Sequence, residues 1–304
     1  MDYKGISWKL TDHILVVTID REEHRNAIDT ATMNELTNIF TRADLDDDVR
    51  AVVVTGRGKY FCAGGDLAPG EKTFDAVALG RATTIHDHVE TGGPLGMSVF
   101  RNRKPFIAAI NGAAVGIGIT MTLPMDVRLA TPGCKMAFTF VRRGIVPDAC
   151  ASWFLPRIVG LSNALDLACS GRTFRAEEAL TAGLIHKICP PDMIVAEATR
   201  IAREIVDNAA PVAVATTRQM IMRMAGAAHP LDAFAIESKA IFELGRSPDA
   251  REGVRAFLDK RPPHFALKVS ENMPSCVPWW SSDEAINDGV GGPATSFARQ
   301  DVPS

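Results

Sequence analysis

The sequence predicts an α/β protein built on a mostly parallel sheet, and three observations carry that prediction. Short apolar runs at His13–Asp20 (HILVVTID), Ala51–Gly56 (AVVVTG), Phe106–Ile110 (FIAAI) and Val127–Ala130 are continuous, not alternating. Such runs mark strands covered on both faces. Helical stretches lie between them, so the chain reads strand, helix, strand, with room for right-handed crossovers. Finally, 304 residues with 46% hydrophobic and 23% charged side chains can bury the core of one large domain or two modest ones.

The first helix is expected over Ala31–Ala43, where Met33, Leu36, Ile39 and Phe40 share one side. After about Leu161 the pattern turns helical. Arg175–Ala182 is a helix closed by Gly183. Met193–Asn208 places Ile194, Ala198, Ile201 and Ile205 on one face. Pro211–Met224 starts with a proline suited to a first helical turn, and Pro230–Leu244 and Pro248–Asp259 follow. From Phe265 onward prolines, serines and glycines dominate. Trp279 and Trp280 are expected to tack down the first part, and disorder is expected beyond Ser281.

Composition excludes several classes. A formal net charge of −3 lacks the basic excess of a nucleic-acid protein. Six scattered cysteines form no C-x-x-C pair, which points to free thiols, not a disulfide framework or zinc site. Residues 105–125 carry no charge, yet Asn111, Thr120, Thr122 and flanking prolines fit a buried strand running into a helix better than a membrane span. The expectation is a soluble intracellular protein, cytoplasmic by default, with peroxisome and mitochondrion as open alternatives. The start shows no signal or transit character, and the end is not of the S-K-L type.

Two glycine-lined turns are the strongest chemical signals. In AVVVTGRGKYFCAGGDL (residues 51–67) a strand ends at Gly56, and Ala63-Gly64-Gly65-Asp66 is expected to open a helix. In residues 104–125 the strand FIAAI runs through Asn111-Gly112 into Gly116-Ile117-Gly118 and a second helix start. Two such turns supply free N–H groups for a two-donor oxyanion hole. Neither is a phosphate loop: Gly56-Arg57-Gly58-Lys59 lacks the upstream glycine, and Gly116-x-Gly118 lacks the third glycine of a dinucleotide site.

The blocks HRNAID (24–29), FCAGGDL (61–67), KPFIAAINGAAVGIG (104–118), GIVPDACASWFLPRIVG (144–160) and AFLDKRPPHF (256–265) resemble, in order and spacing, the enoyl-CoA hydratase/isomerase (crotonase) superfamily. The resemblance covers roughly residues 8 to 265. It implies a spiral of ββα units over residues 1–200 and a helical trimerisation region over 201–265, to which composition adds a Pro/Ser/Gly-rich tail over 266–304, expected to be largely disordered. It further implies an acyl-CoA thioester substrate, no separate cofactor (coenzyme A belongs to the substrate), and a homotrimer or hexamer. By position, the N–H groups of Ala63 and Ile117 hold the thioester oxygen as it becomes an enolate. His24, Arg25, Ala63, Gly64, Gly65, Asp66, Leu67 and Gly116 line the coenzyme A path, and Phe257 and Lys260 reach it across a subunit contact.

Departures from the family pattern bear on the reaction. Hydratases of the family position water with two glutamates; Thr120 takes the first position here, and the second falls near Arg142. Threonine is no base near neutral pH, and arginine is not deprotonated. Asp148 remains. In branches of the family that shift double bonds, an acidic residue at this position shuttles the proton, and an apolar wall of Phe138, Phe140, Trp153 and Phe154 is expected to raise its pKa. Read without the resemblance, Asp148 caps a helix beginning near Ala149. The leading expectation is isomerisation of a 3-enoyl-CoA to a 2-enoyl-CoA. The alternatives are a hydratase in which Asp148 alone activates water and a non-catalytic acyl-CoA-binding subunit. Asp66 reads as structural or ligand-positioning, Cys62 as a small buried apolar residue, Arg142-Arg143 as ordinary ion-pairing residues or a contact to a coenzyme A phosphate, and His86-Asp87-His88 as a solvated face.

Overall fold

In the computed structural model, residues 3–276 are described. The elements in chain order are β1 (Ile6–Thr11), β2 (Ile14–Ile19), α1 (Thr30–Leu45), β3 (Ala51–Gly56), α2 (Gly92–Arg101), β4 (Phe106–Ile110), β5 (Ala114–Val115), α3 (Ile117–Thr120), β6 (Val127–Ala130) and β7 (Lys135–Ala137). They continue with α4 (Ala151–Val159), α5 (Leu161–Ser170), β8 (Thr173–Arg175), α6 (Ala176–Thr181), β9 (Lys187–Ile188), α7 (Ile194–Asn208), α8 (Pro211–Met224), α9 (Pro230–Leu244) and α10 (Pro248–Asp259).

The main sheet has the order β1-β2-β3-β4-β6-β9. Every neighbouring pair is parallel except the β1–β2 hairpin. All of β3 and β4 is buried, which accounts for their unbroken apolar sequence. One face carries the larger core with α1, α2 and the second sheet, including Phe40, Phe61, Phe106 and Phe138. Ile194, Ala198 and Ala202 of α7 fill the other, against Val53, Ile107 and Leu129. Among the described residues no helix is long and apolar enough to cross a membrane.

The strands at 51–56, 106–110 and 127–130 and the helices at 211–224, 230–244 and 248–259 form as the patterns predict. Other expectations need correction. No helix opens at Ala63–Asp66, because the local N–H groups pair with an earlier segment: Ala63 N–H donates to Arg25 O (3.1 Å) and Asp66 N–H to Ile28 O (2.9 Å). A core boundary at residue 200 cuts α7, which packs along the main sheet, so the helical region begins after Asn208. The tail does not begin at 266 either. Ala266 N–H bonds to Asp249, Ser270 to Asp47 and Ser275 to Glu243, and Val269 is buried. Trp279, Trp280 and the stretch beyond Ser281 lie outside the described residues. Half-exposed β1 and the short second sheet β5-β7-β8 carry no continuous apolar run and were not legible as strands.

Candidate active site

Parallel strands deliver their C-terminal ends to one edge, where ligands of open α/β sheets bind. Here Asn111 ties the exit of β4 to that of β3, and Asn26 ties the turn after β2 to the same β3 exit. Asn111 Oδ1 accepts the Gly56 N–H (3.0 Å), and its amide donates to Gly56 O and Gly58 O (both 2.9 Å). Asn26, fully buried, donates to Arg57 O (2.9 Å) and Tyr60 O (2.6 Å) and accepts from Arg21 N–H (3.0 Å). The two glycine turns are thereby packed side by side. A methyl group at Gly118 would sit 2.5 Å from Cys62 O, and one at Gly64 would sit 3.2 Å from Val115 O. Gly64 and Gly116 also have φ of +114° and +55°, a region that disfavours other residues.

The turns differ in hydrogen bonding. Ala63 N–H is engaged by Arg25 O, whereas Ile117 N–H, at the first position of α3, meets no protein acceptor among the described residues. The expected pair of donors is thus present as one open N–H and one occupied N–H. Arg25 and Asn26 reach this arrangement in left-handed conformations (φ +54° and +56°).

Asp148 and the Ile117 side chain both face Gly92. Asp148 Oδ1 accepts the Thr120 hydroxyl at 2.5 Å, so Thr120 orients this carboxylate. The expected helix cap does not form. Ala149 and Cys150 both take left-handed backbone (φ +51° and +58°), α4 starts only at Ala151, and no side chain caps it. Burial pushes the Asp148 carboxyl up to about 7, while the Thr120 hydrogen bond pulls it down and the nearby Glu90 charge adds to the rise. No cation pairs with Asp148 among the described residues.

Helix α2 forms the lid over this pair. Gly96 approaches Ala149 so closely that a methyl there would meet Ala149 O at 2.9 Å, and Gly92 faces both Ile117 and Asp148. The aromatic residues act here in a way the sequence did not show. Trp153 and Phe154 pack edge-on against Phe100 of α2 (ring centroids 5.7 and 5.9 Å), and Phe138 stacks on Phe174 (6.0 Å). The first group fixes α2 over residues 148–149; the second belongs to the core. Sequence reasoning missed Gly92 and Glu90, although Gly92 and Gly96 at i, i+4 mark a helix face that another chain segment approaches closely.

The remaining predicted residues divide into a rim and a separate surface. His24 and Arg25 are exposed, with the Arg25 guanidinium 5.9 Å from the Tyr60 ring centre, and Gly65 and Leu67 are exposed beside them. Asp66 is held by Arg21 (3.2 Å), which also binds Asp29 (3.1 Å), and by its own turn at Ala68 N–H (3.0 Å). Phe257 is 83% exposed on α10, and Lys260 caps that helix with φ +52°. No hydrogen bond or ion pair joins either to residues 24–25 or 63–67 among the described residues. Cys62 is buried, its thiol pushed up to about 12 by desolvation, in keeping with a packing role. Arg142 lies exposed, donating to Ser170 O (2.9 Å). Among the described residues no cluster suited to a metal ion occurs.

The sequence profile of the enoyl-CoA hydratase/isomerase family matches residues 9–268. The chain belongs to that family. It is 40% identical to an enoyl-CoA hydratase of Alternaria alternata over 86% of this chain and 85% of the relative. It is 33% identical to the short-chain-enoyl-CoA hydratase of Clostridium acetobutylicum, over 86% of this chain and 97% of that one. The crystal structure of enoyl-CoA hydratase from Bacillus anthracis superposes with a TM-score of 0.76, at 28% identity, covering 86% and 99% of the two chains. The protein is therefore an acyl-CoA enzyme with the crotonase fold, and acyl-CoA thioesters are the substrates of its family.

Proposed function

We propose that this family member moves a carbon–carbon double bond of an acyl-CoA from the 3 to the 2 position. The observation that carries the reading is Asp148, aimed by Thr120, gathered with Ile117 around Gly92, and pushed up to about 7 by burial. Ionised Asp148 removes a C2 proton from the 3-enoyl thioester. The C–H electron pair moves into a dienolate whose negative oxygen accepts from Ile117 N–H. Asp148 returns the proton at C4, the electrons flow back, and the double bond settles between C2 and C3. Fixed N–H dipoles stabilise charge that exists only during reaction, so they favour the transition state over the substrate. Ala63 N–H joins as the second donor by sharing its hydrogen between Arg25 O and the enolate oxygen. The step uses one base and backbone dipoles, with coenzyme A as part of the substrate.

His24 and Arg25 at the exposed rim suit the anionic part of coenzyme A, and Phe257 and Lys260 serve a neighbouring subunit's site. A trimer or hexamer is consistent with the apolar side chains that the C-terminal helices expose, including Ile221, Phe234, Ile241 and Phe242. A second reading, hydration, draws support from the names of the Alternaria and Clostridium relatives; Asp148 then activates a water. Separate assays with a 3-enoyl-CoA and a 2-enoyl-CoA decide between them. Conversion of the 3-enoyl ester, lost in Asp148→Asn, is the result expected. Reaction of the 2-enoyl ester alone, giving a 3-hydroxyacyl product, replaces the isomerase reading with the hydratase one. Tight binding without turnover of either leaves an acyl-CoA-binding subunit.

A further inference from the structure

A second carboxylate stands across Gly92 from Asp148. Glu90, two residues before α2 in an irregular stretch, folds its side chain back so that Oε1 accepts the Gly92 N–H at 2.7 Å. A methyl group at Gly92 would lie 2.6 Å from that oxygen, 3.1 Å from the Asp148 carboxyl carbon and 3.0 Å from Ile117 Cδ1. One hydrogen-sized gap therefore brings together both acids and the residue of the open donor. We propose that Glu90 is a positioning residue for the reaction: its anchored carboxylate sets how readily Asp148 takes up and returns a proton. The proposal rests on the reading of Asp148 as the proton-carrying group.

Two features support this role over a purely local one. The bond to Gly92 N–H at the start of α2 fixes the Glu90 carboxylate at this spot, where the N–H groups of a helix start favour negative charge. A negative charge next to a half-buried acid resists that acid's ionisation. Among the described residues, the groups that interact with Asp148 are the Thr120 hydroxyl on α3, the thiols of Cys62 and Cys150, and Glu90 itself. Glu90 is the carboxylate among them, and the arrangement differs from the hydratase pattern, because neither Thr120 nor Arg142 supplies an acid.

The test measures the midpoint of the Asp148 titration in the full chain, once from the pH dependence of kcat/KM for a 3-enoyl-CoA and once from the carboxyl-carbon NMR signal. Glu90→Gln keeps an acceptor for Gly92 N–H but loses the charge. The expected result is a midpoint lower by about half to one pH unit, the size of a like-charge effect near a partly solvated site. Glu90→Lys, which reverses the charge, shifts it about twice as far in the same direction, and Glu90→Asp restores most of the wild-type value. Midpoints that stay together in Gln and Lys variants, whatever their melting temperatures, overturn the proposal and leave Glu90 as a helix cap. If the wild type leaves the 3-enoyl ester untouched, the isomerase reading fails, while the NMR midpoints still decide the role of Glu90.

Discussion

The two walls of the site are built from similar sequence and behave differently. One is the turn after β3, Ala63 to Asp66; the other runs from Gly116 through Thr120 and is faced by Asp148. On the first wall the Ala63 and Asp66 N–H groups and the Asp66 carboxylate are satisfied internally. Ala63 N–H meets Arg25 O, Asp66 N–H meets Ile28 O, and the Asp66 carboxylate meets Arg21 and Ala68 N–H. On the second, among the described residues, Ile117 N–H meets no protein acceptor and Asp148 accepts one hydroxyl and pairs with no cation. An aspartate paired with arginine and a turn is a structural device. An aspartate left half-buried with one neutral partner is poised near 7 and free to exchange protons. Glycine turns alone do not make a reactive site; the hydrogen bonds left unmade within the protein do.

Substitutions that exchange the character of the two walls test this contrast. The largest effect is expected at Ile117. Proline is tolerated at the first position of a helix but lacks the N–H, so Ile117→Pro should lower kcat by about 10²–10³-fold, with Ile117→Val close to wild type. Steady-state kinetics on the 3-enoyl ester measure it, and equal losses in both variants would make Ile117 a packing residue. Next comes Thr120→Val. The hydroxyl favours the charged form of Asp148, so its removal raises the pKa further. The rising limb of kcat/KM then moves to higher pH by about one unit, a roughly tenfold loss at pH 6 that largely recovers at pH 9. A pH profile shifted the other way contradicts the assigned geometry. Asp66→Asn is the smallest. It weakens the Arg21 network and should lower the melting temperature by a few degrees, about 1 kcal/mol, with kcat within a few-fold of wild type. A thousandfold loss there would place chemistry on the wrong wall.

The contrast also shows how far the sequence reaches. Continuous apolar runs exposed the parallel sheet because both faces of β3 and β4 are buried. Asp148 was legible as an isolated acid in Ile145-Val146-Pro147-Asp148, and the absence of a glutamate at Thr120 was legible by counting. That Thr120 would instead aim Asp148 was not, since the two lie on separate elements 28 residues apart. The Arg25–Ala63 hydrogen bond was hidden for a similar reason. It depends on two consecutive left-handed residues, Arg25 and Asn26, whose conformation is fixed by the buried Asn26 side chain. Glu90 escaped notice because residues 71–91 have no apolar period to place them, and only the packing of Gly92 and Gly96 brings that segment over the site.

The most direct measurement is the fate of the moved proton. A 3-enoyl-CoA is converted in D2O and the 2-enoyl product analysed for isotope at C4. A single carboxylate that both removes and returns the proton carries protium from C2 to C4, so the account predicts protium in the hydrogen newly added at C4, leaving two protium atoms there. Deuterium in that added position throughout the product would mean that separate groups or bulk solvent handle the two transfers, and a 3-hydroxy product would mean that Asp148 activates water; either result contradicts it.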